Sequence, residues 1–124
     1  MPEAVVVAAT RSPIGRANKG SLVDMRRDDL ATQVVTSLLS QSGVDGTEVE
    51  DLIMGCGQPA GESGYNIGRV VAVESGMPDV PGVTVNRCCS SSLQTTRMAA
   101  HAIKAGEGDT YIAAGVEWVS RYNE

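Results

Sequence analysis

The chain has no phenylalanine, one tryptophan and three tyrosines, so aromatics make up 3% of its 124 residues. Its interior must therefore be aliphatic, drawn from the Val, Ala, Ile and Leu that bring the apolar share to 42%. No apolar run approaches the ~20 residues that a membrane span needs. The opening "MPEAVVVAATR" carries an acid where a signal peptide would carry basic residues. Three cysteines, an odd number with two of them adjacent, do not make a disulfide framework. A formal net charge of −5 argues against non-specific binding to nucleic acid or anionic membranes. These absences point to a reduced, cytoplasmic protein with no membrane span and no nucleic-acid partner.

What is present suits a layered α/β domain. Fourteen glycines permit close approaches between layers. The length is that of one domain at most, and no repeat, low-complexity tract or linker interrupts it. Five of the ten basic residues (Arg11, Arg16, Lys19, Arg26 and Arg27) fall in one stretch, which reads as a solvated loop.

"EAVVVAAT" (3–10) reads as a buried strand closed by the turn residues Pro13 and Gly15. "DDLATQVVTSLLSQSG" reads as an amphipathic helix, capped by Asp28 or Asp29, with Leu30, Val34, Leu38 and Leu39 at helical spacing and Gly43 as its stop. A second strand is expected near Leu52–Cys56 and a short helix from Asn66 to about Ser75. A third strand is expected in "GVTVNR", then a helix from Ser90 to Gly106, and a fourth strand at Tyr111–Ala114. Strand and helix alternating in this way predict a mainly parallel sheet with helices on its faces and right-handed crossovers.

Cys88 and Cys89 fall in the turn between the third strand and the helix that follows. A thiol at a helix N-terminus meets unpaired backbone N–H groups and the positive end of the macrodipole, which favour thiolate. In parallel sheets the strand-to-helix turn is also where ligands bind. The helix itself, with Leu93, Met98, Ala99, Ala100, Ala102 and Ile103, looks apolar on more than one face and is expected to be buried. The competing reading is a pair of inert, packed cysteines, and spacing alone leaves both open. A nucleophilic thiol usually needs a base. The one histidine, His101, stands twelve residues after Cys89, roughly 18 Å along a continuous helix. It reads as a surface or packed residue, and any base must come from elsewhere. A redox pair of Cys88 and Cys89 is disfavoured because adjacent cysteines bridge only through a strained ring.

The segment "VNRCCSSSLQT" resembles the active-site segment of the thiolases, the acetyl-CoA acyltransferases. Asn86 and Arg87 match that pattern, Cys88 takes its variable place, and Cys89 falls on the nucleophile. Ser90, Ser91, Ser92, Leu93 and Gln94 continue the match. "TRSPIGRANKGSL" is similar to the family's opening. "AGESGYNIGRVVAVESGMP" is similar to its second-helix segment through Asn66 and Arg69. "YIAAGVEWVSR" resembles a later strand, with Ala114 where glycine is usual and Trp118 where a small residue is common.

The resemblance spans essentially the whole chain. It implies the thiolase-like α/β fold, with residues 1–124 as the N-terminal part of the N-terminal domain. It further implies acyl transfer through an acyl-cysteine at Cys89: thiolytic cleavage of a 3-ketoacyl-CoA, as in fatty acid β-oxidation, or the reverse Claisen condensation. Coenzyme A would be a co-substrate, with no permanently bound cofactor and no metal. A homodimer or homotetramer is implied as well. The family's Gly-His-Pro, Cys-x-Gly and Asn-Glu-x-Phe-Ala motifs have no counterpart here, and Cys56 in "MGCGQP" reads as a small residue at a strand end. A second chain carrying those motifs is therefore expected. The alternative is a truncated, non-catalytic fragment that acts only as an assembly partner.

Overall fold

The computed structural model describes residues 2–122. Three helices, α1 (Arg27–Ser42), α2 (Ile67–Glu74) and α3 (Ser91–Lys104), alternate with three strands, β1 (Asp51–Gly55), β2 (Gly82–Val85) and β3 (Tyr111–Gly115). The sheet is all parallel in the order β2-β1-β3. Central β1 aligns Leu52 with Gly82 on one side and with Ile112 on the other. Because both of its neighbours are ladder partners, β1 reads as a continuous buried run from Leu52 to Gly55. The core gathers Leu52, Met54, Ile67, Val71 and Ile112 around it.

The α1 helix ends as expected. Gly43 adopts a left-handed φ of 72°, and its N–H returns to the Leu39 carbonyl. Its start differs, because Arg26 is the N-cap residue and no side chain caps the helix. Asp28 instead binds Arg26, at 2.9 Å. Burial pushes the Asp28 carboxyl up, but Arg26 and the Asp29 backbone N–H outweigh it and hold it below the usual carboxylate value. The apolar residues of α1 that are buried are Ala31 and Val35, one position on from the predicted stripe. Leu30, Val34, Leu38 and Leu39 line a groove shared with α3, β3 and residues 4–12.

That groove is where sequence and structure part. The expected strand at 3–10 does not form, and those residues pair with no strand among the described residues. Both edges of β1 are already occupied by β2 and β3, so the β-branched run finds no slot beside it. It lies over the groove instead, with Val5, Val6 and Val7 at 68%, 80% and 76% exposure and a cavity of about 670 Å³ beside it.

The α2 helix starts at Asn66, as read from the sequence. Its Oδ1 accepts the Arg69 N–H at 3.3 Å and the Thr84 hydroxyl at 2.9 Å, while its Nδ2 donates to the Gly82 carbonyl at 2.8 Å. One amide thus caps the helix and fastens it to β2. Arg69 completes the clamp by donating to the Val80 and Pro78 carbonyls.

The basic stretch before α1 is exposed at Arg11, Arg16, Lys19 and Arg26, as a solvated loop would be. Arg27 departs from that reading. It is 2% exposed and donates to the Ala60 carbonyl and the Ser63 hydroxyl, at 2.6 and 2.8 Å, and to the Arg121 carbonyl. Glu62 lies beside it and also binds Arg121. No helix among the described residues is long and apolar enough to cross a membrane.

Candidate active site

The three strands end at Gly55, Val85 and Gly115, and the turn after β2 folds back over the other two ends. Glycine makes this possible. A Cβ on Gly55 would stand 2.7 Å from the Ser91 backbone carbon, and one on Gly115 would stand 1.9 Å from Ser92 Oγ. The first residues of α3 therefore rest on bare main chain at the sheet's C-terminal edge. Gly55→Ala should cost about 1–3 kcal/mol, since backbone must shift to admit the methyl group, and a lowered urea midpoint would register it.

Cys88 and Cys89 lie in a single 3-10 turn, Cys88–Ser90, immediately before α3. Both thiols are exposed and free, which removes the packed-cysteine reading for this pair. Cys88 has a positive φ of 51°, a left-handed conformation that costs a non-glycine residue about 1–3 kcal/mol unless its surroundings hold it. Those surroundings are specific. The Cys88 N–H donates to Asn86 Oδ1 at 2.7 Å, and the Cys88 carbonyl accepts from Ser91 Oγ at 2.7 Å. Ser91 Oγ also accepts the Arg87 N–H at 2.9 Å, so this buried hydroxyl closes the turn from both sides.

The α3 helix buries one face, through Ser91, Thr95 and Ala99, rather than several. Leu93 is 72% exposed, which corrects the expectation of a helix apolar and covered all round. Thr95 anchors the buried face by donating to the Ser92 and Ala114 carbonyls. His101 is exposed in the last turn, away from the thiols at the first, as the helical spacing predicts.

Cys56 follows β1 and is 1% exposed within the core, as its reading as a small strand-end residue requires. Burial pushes its thiol up, with the Glu117 carboxylate adding to the effect, so it stays protonated. Sequence reasoning passed over Glu117. Its Oε2 accepts the Gly57 N–H at 2.7 Å, and its Oε1 stands 3.9 Å from Cys56 Sγ. The Tyr122 phenol nearby is likewise pushed up, by burial and then by Glu117. An exposed acid two residues beyond a strand, sixty residues from its partners, gives no local signal.

A family model for the thiolase N-terminal domain matches residues 4–124. The chain is 44% identical over 122 residues to a 3-ketoacyl-CoA thiolase of Bacillus subtilis, covering 98% of this chain and 31% of that relative. It is 46% identical over 123 residues to a β-ketoadipyl-CoA thiolase of Acinetobacter baylyi, covering 98% and 30%. The chain thus spans about a third of the length of these curated relatives. A strand-turn-helix segment that carries two exposed thiols over a glycine floor accords with that match: the chain belongs to the thiolase family, through its N-terminal domain.

Proposed function

We propose that the chain carries the acyl-accepting cysteine of a 3-ketoacyl-CoA thiolase, with Cys89 as nucleophile. The observation that carries this reading is the position of Cys89: exposed, in the last turn before α3, over the glycine-lined strand ends. The Cys89 thiolate attacks the 3-keto carbon of the substrate. The bond between C2 and C3 then breaks, and its electron pair passes to the departing acetyl-CoA enolate, which takes a proton. The shortened acyl group remains on sulfur as a thioester until the thiol of coenzyme A attacks it and restores the cysteine. The reverse sequence is a Claisen condensation. In either direction the developing oxyanions need fixed donors. The general base and the remaining donors come from the family's C-terminal motifs, carried by a second chain or segment; the complete unit assembles as a homo-oligomer, and coenzyme A is the co-substrate.

A denaturing intact-mass spectrum after brief incubation with acetoacetyl-CoA, without competing thiol, tests the reading. One acetyl adduct mapped to Cys89 is expected. An unmodified Cys89, or an adduct on another residue, rejects it.

A further inference from the structure

Between Glu117 and the thiol-bearing turn runs a continuous set of hydrogen bonds that the family match does not explain. Glu117 Oε2 accepts the Gly57 N–H at 2.7 Å. The carbonyl of the same Gly57 accepts Asn86 Nδ2 at 3.0 Å. Asn86 Oδ1 then accepts the Cys88 N–H at 2.7 Å. A side chain on Gly57 would crowd both ends of this path, since a Cβ there would stand 2.8 Å from Glu117 Oε2 and 3.3 Å from the Cys88 Cα. The chain of bonds ends on the residue held at φ 51°, immediately before Cys89.

We propose that Glu117 and Asn86 are positioning residues, forming a relay through Gly57 that holds Cys88 left-handed and so fixes the Cys89 thiol against the start of α3. Each link has a distinct task. Glu117 fixes the loop after β1 by gripping its N–H. Asn86 reads the position of that loop with its amide N–H and transmits it through its oxygen to Cys88. Relaxing Cys88 toward negative φ would rotate the peptide plane that leads into Cys89 and turn the thiol away from the helix N-terminus.

The relay rests on Cys89 as the reacting thiol, but its test does not need acyl transfer. The rate of Cys89 alkylation by iodoacetamide is measured near neutral pH, with the modified sites mapped by peptide mass spectrometry. A parallel urea titration serves as the fold control, because Cys56 lies 3.9 Å from Glu117 and would itself respond to its loss. Asn86→Ala and Glu117→Ala should slow Cys89 alkylation about tenfold near neutral pH, because a misdirected thiol meets the reagent less often in a reactive geometry. Glu117→Gln keeps an oxygen for the Gly57 N–H and should restore most of the rate. Cys88→Gly in the Asn86→Ala background removes the left-handed strain and should restore the rate.

A wild-type rate in a folded Glu117→Ala or Asn86→Ala variant overturns the relay. If Asn86→Ala does not fold by the urea titration, Glu117→Ala decides, because that side chain is exposed and its truncation empties no core space. Alkylation that depends on the relay without any acetylation would remove the thiolase reading and leave the relay standing. Acetylation of Cys89 with relay-independent alkylation would do the opposite.

Discussion

Cys89→Ala abolishes acetyl uptake from acetoacetyl-CoA, whereas Cys88→Ala retains much of it. Both thiols are exposed and adjacent, so accessibility alone predicts no difference between them. Their surroundings do. Cys88 contributes its backbone to the turn, donating to Asn86 and accepting from Ser91, and neither contact uses its sulfur. Cys89 is the nucleophile of the proposed reaction and sits one residue nearer the N-terminus of α3. Intact mass after incubation with acetoacetyl-CoA reads the outcome for both variants. A parallel urea titration confirms that each is folded. Equal loss in two folded variants would remove the assignment of Cys89.

Arg27→Met lowers stability by about 2–4 kcal/mol, read from urea unfolding, because it deletes three charge-assisted hydrogen bonds made by one buried guanidinium. The Ala60 carbonyl, the Ser63 hydroxyl and the Arg121 carbonyl all accept from this one guanidinium. They belong to the loop after β1 and to the segment after β3, so Arg27 ties two segments distant in sequence to the start of α1. Methionine fills a similar volume and supplies no donor. Arg27→Lys should lie between the two, since one ammonium cannot reproduce the fork. An unchanged midpoint in Arg27→Met would mean that water replaces the lost bonds at no cost.

Local chemistry was readable where it is set by neighbours in sequence. Gly43 stops α1 because glycine enters the left-handed region freely, and Asn66 starts α2 because its amide reaches Arg69. The turn carrying Cys88 and Cys89 was placed correctly between β2 and α3 for the same reason. What escaped depends on distant partners. The run at Val5–Val7 has strand-forming residues, but a strand needs a ladder neighbour, and β1 already has two. Arg27 looked like one more loop cation until its acceptors, 33, 36 and 94 residues away, were known. Glu117 had no recognisable spacing at all, since its role depends on Gly57 lying across a parallel sheet from it. The thiol-bearing turn could be located because it is local, whereas the contacts around it could not.

The glycine floor beneath α3 also bears on how this chain can vary. At Gly55, Gly57 and Gly115 the missing side chain is what admits the neighbouring turn, so a mutational library loses the turn before it samples any new chemistry there. Cys88, Ser90 and Leu93 point into open space above the same floor, where substitution meets no neighbouring layer. Variation aimed at altering substrate choice in this part of the chain would be spent on those three positions, with the glycines left untouched.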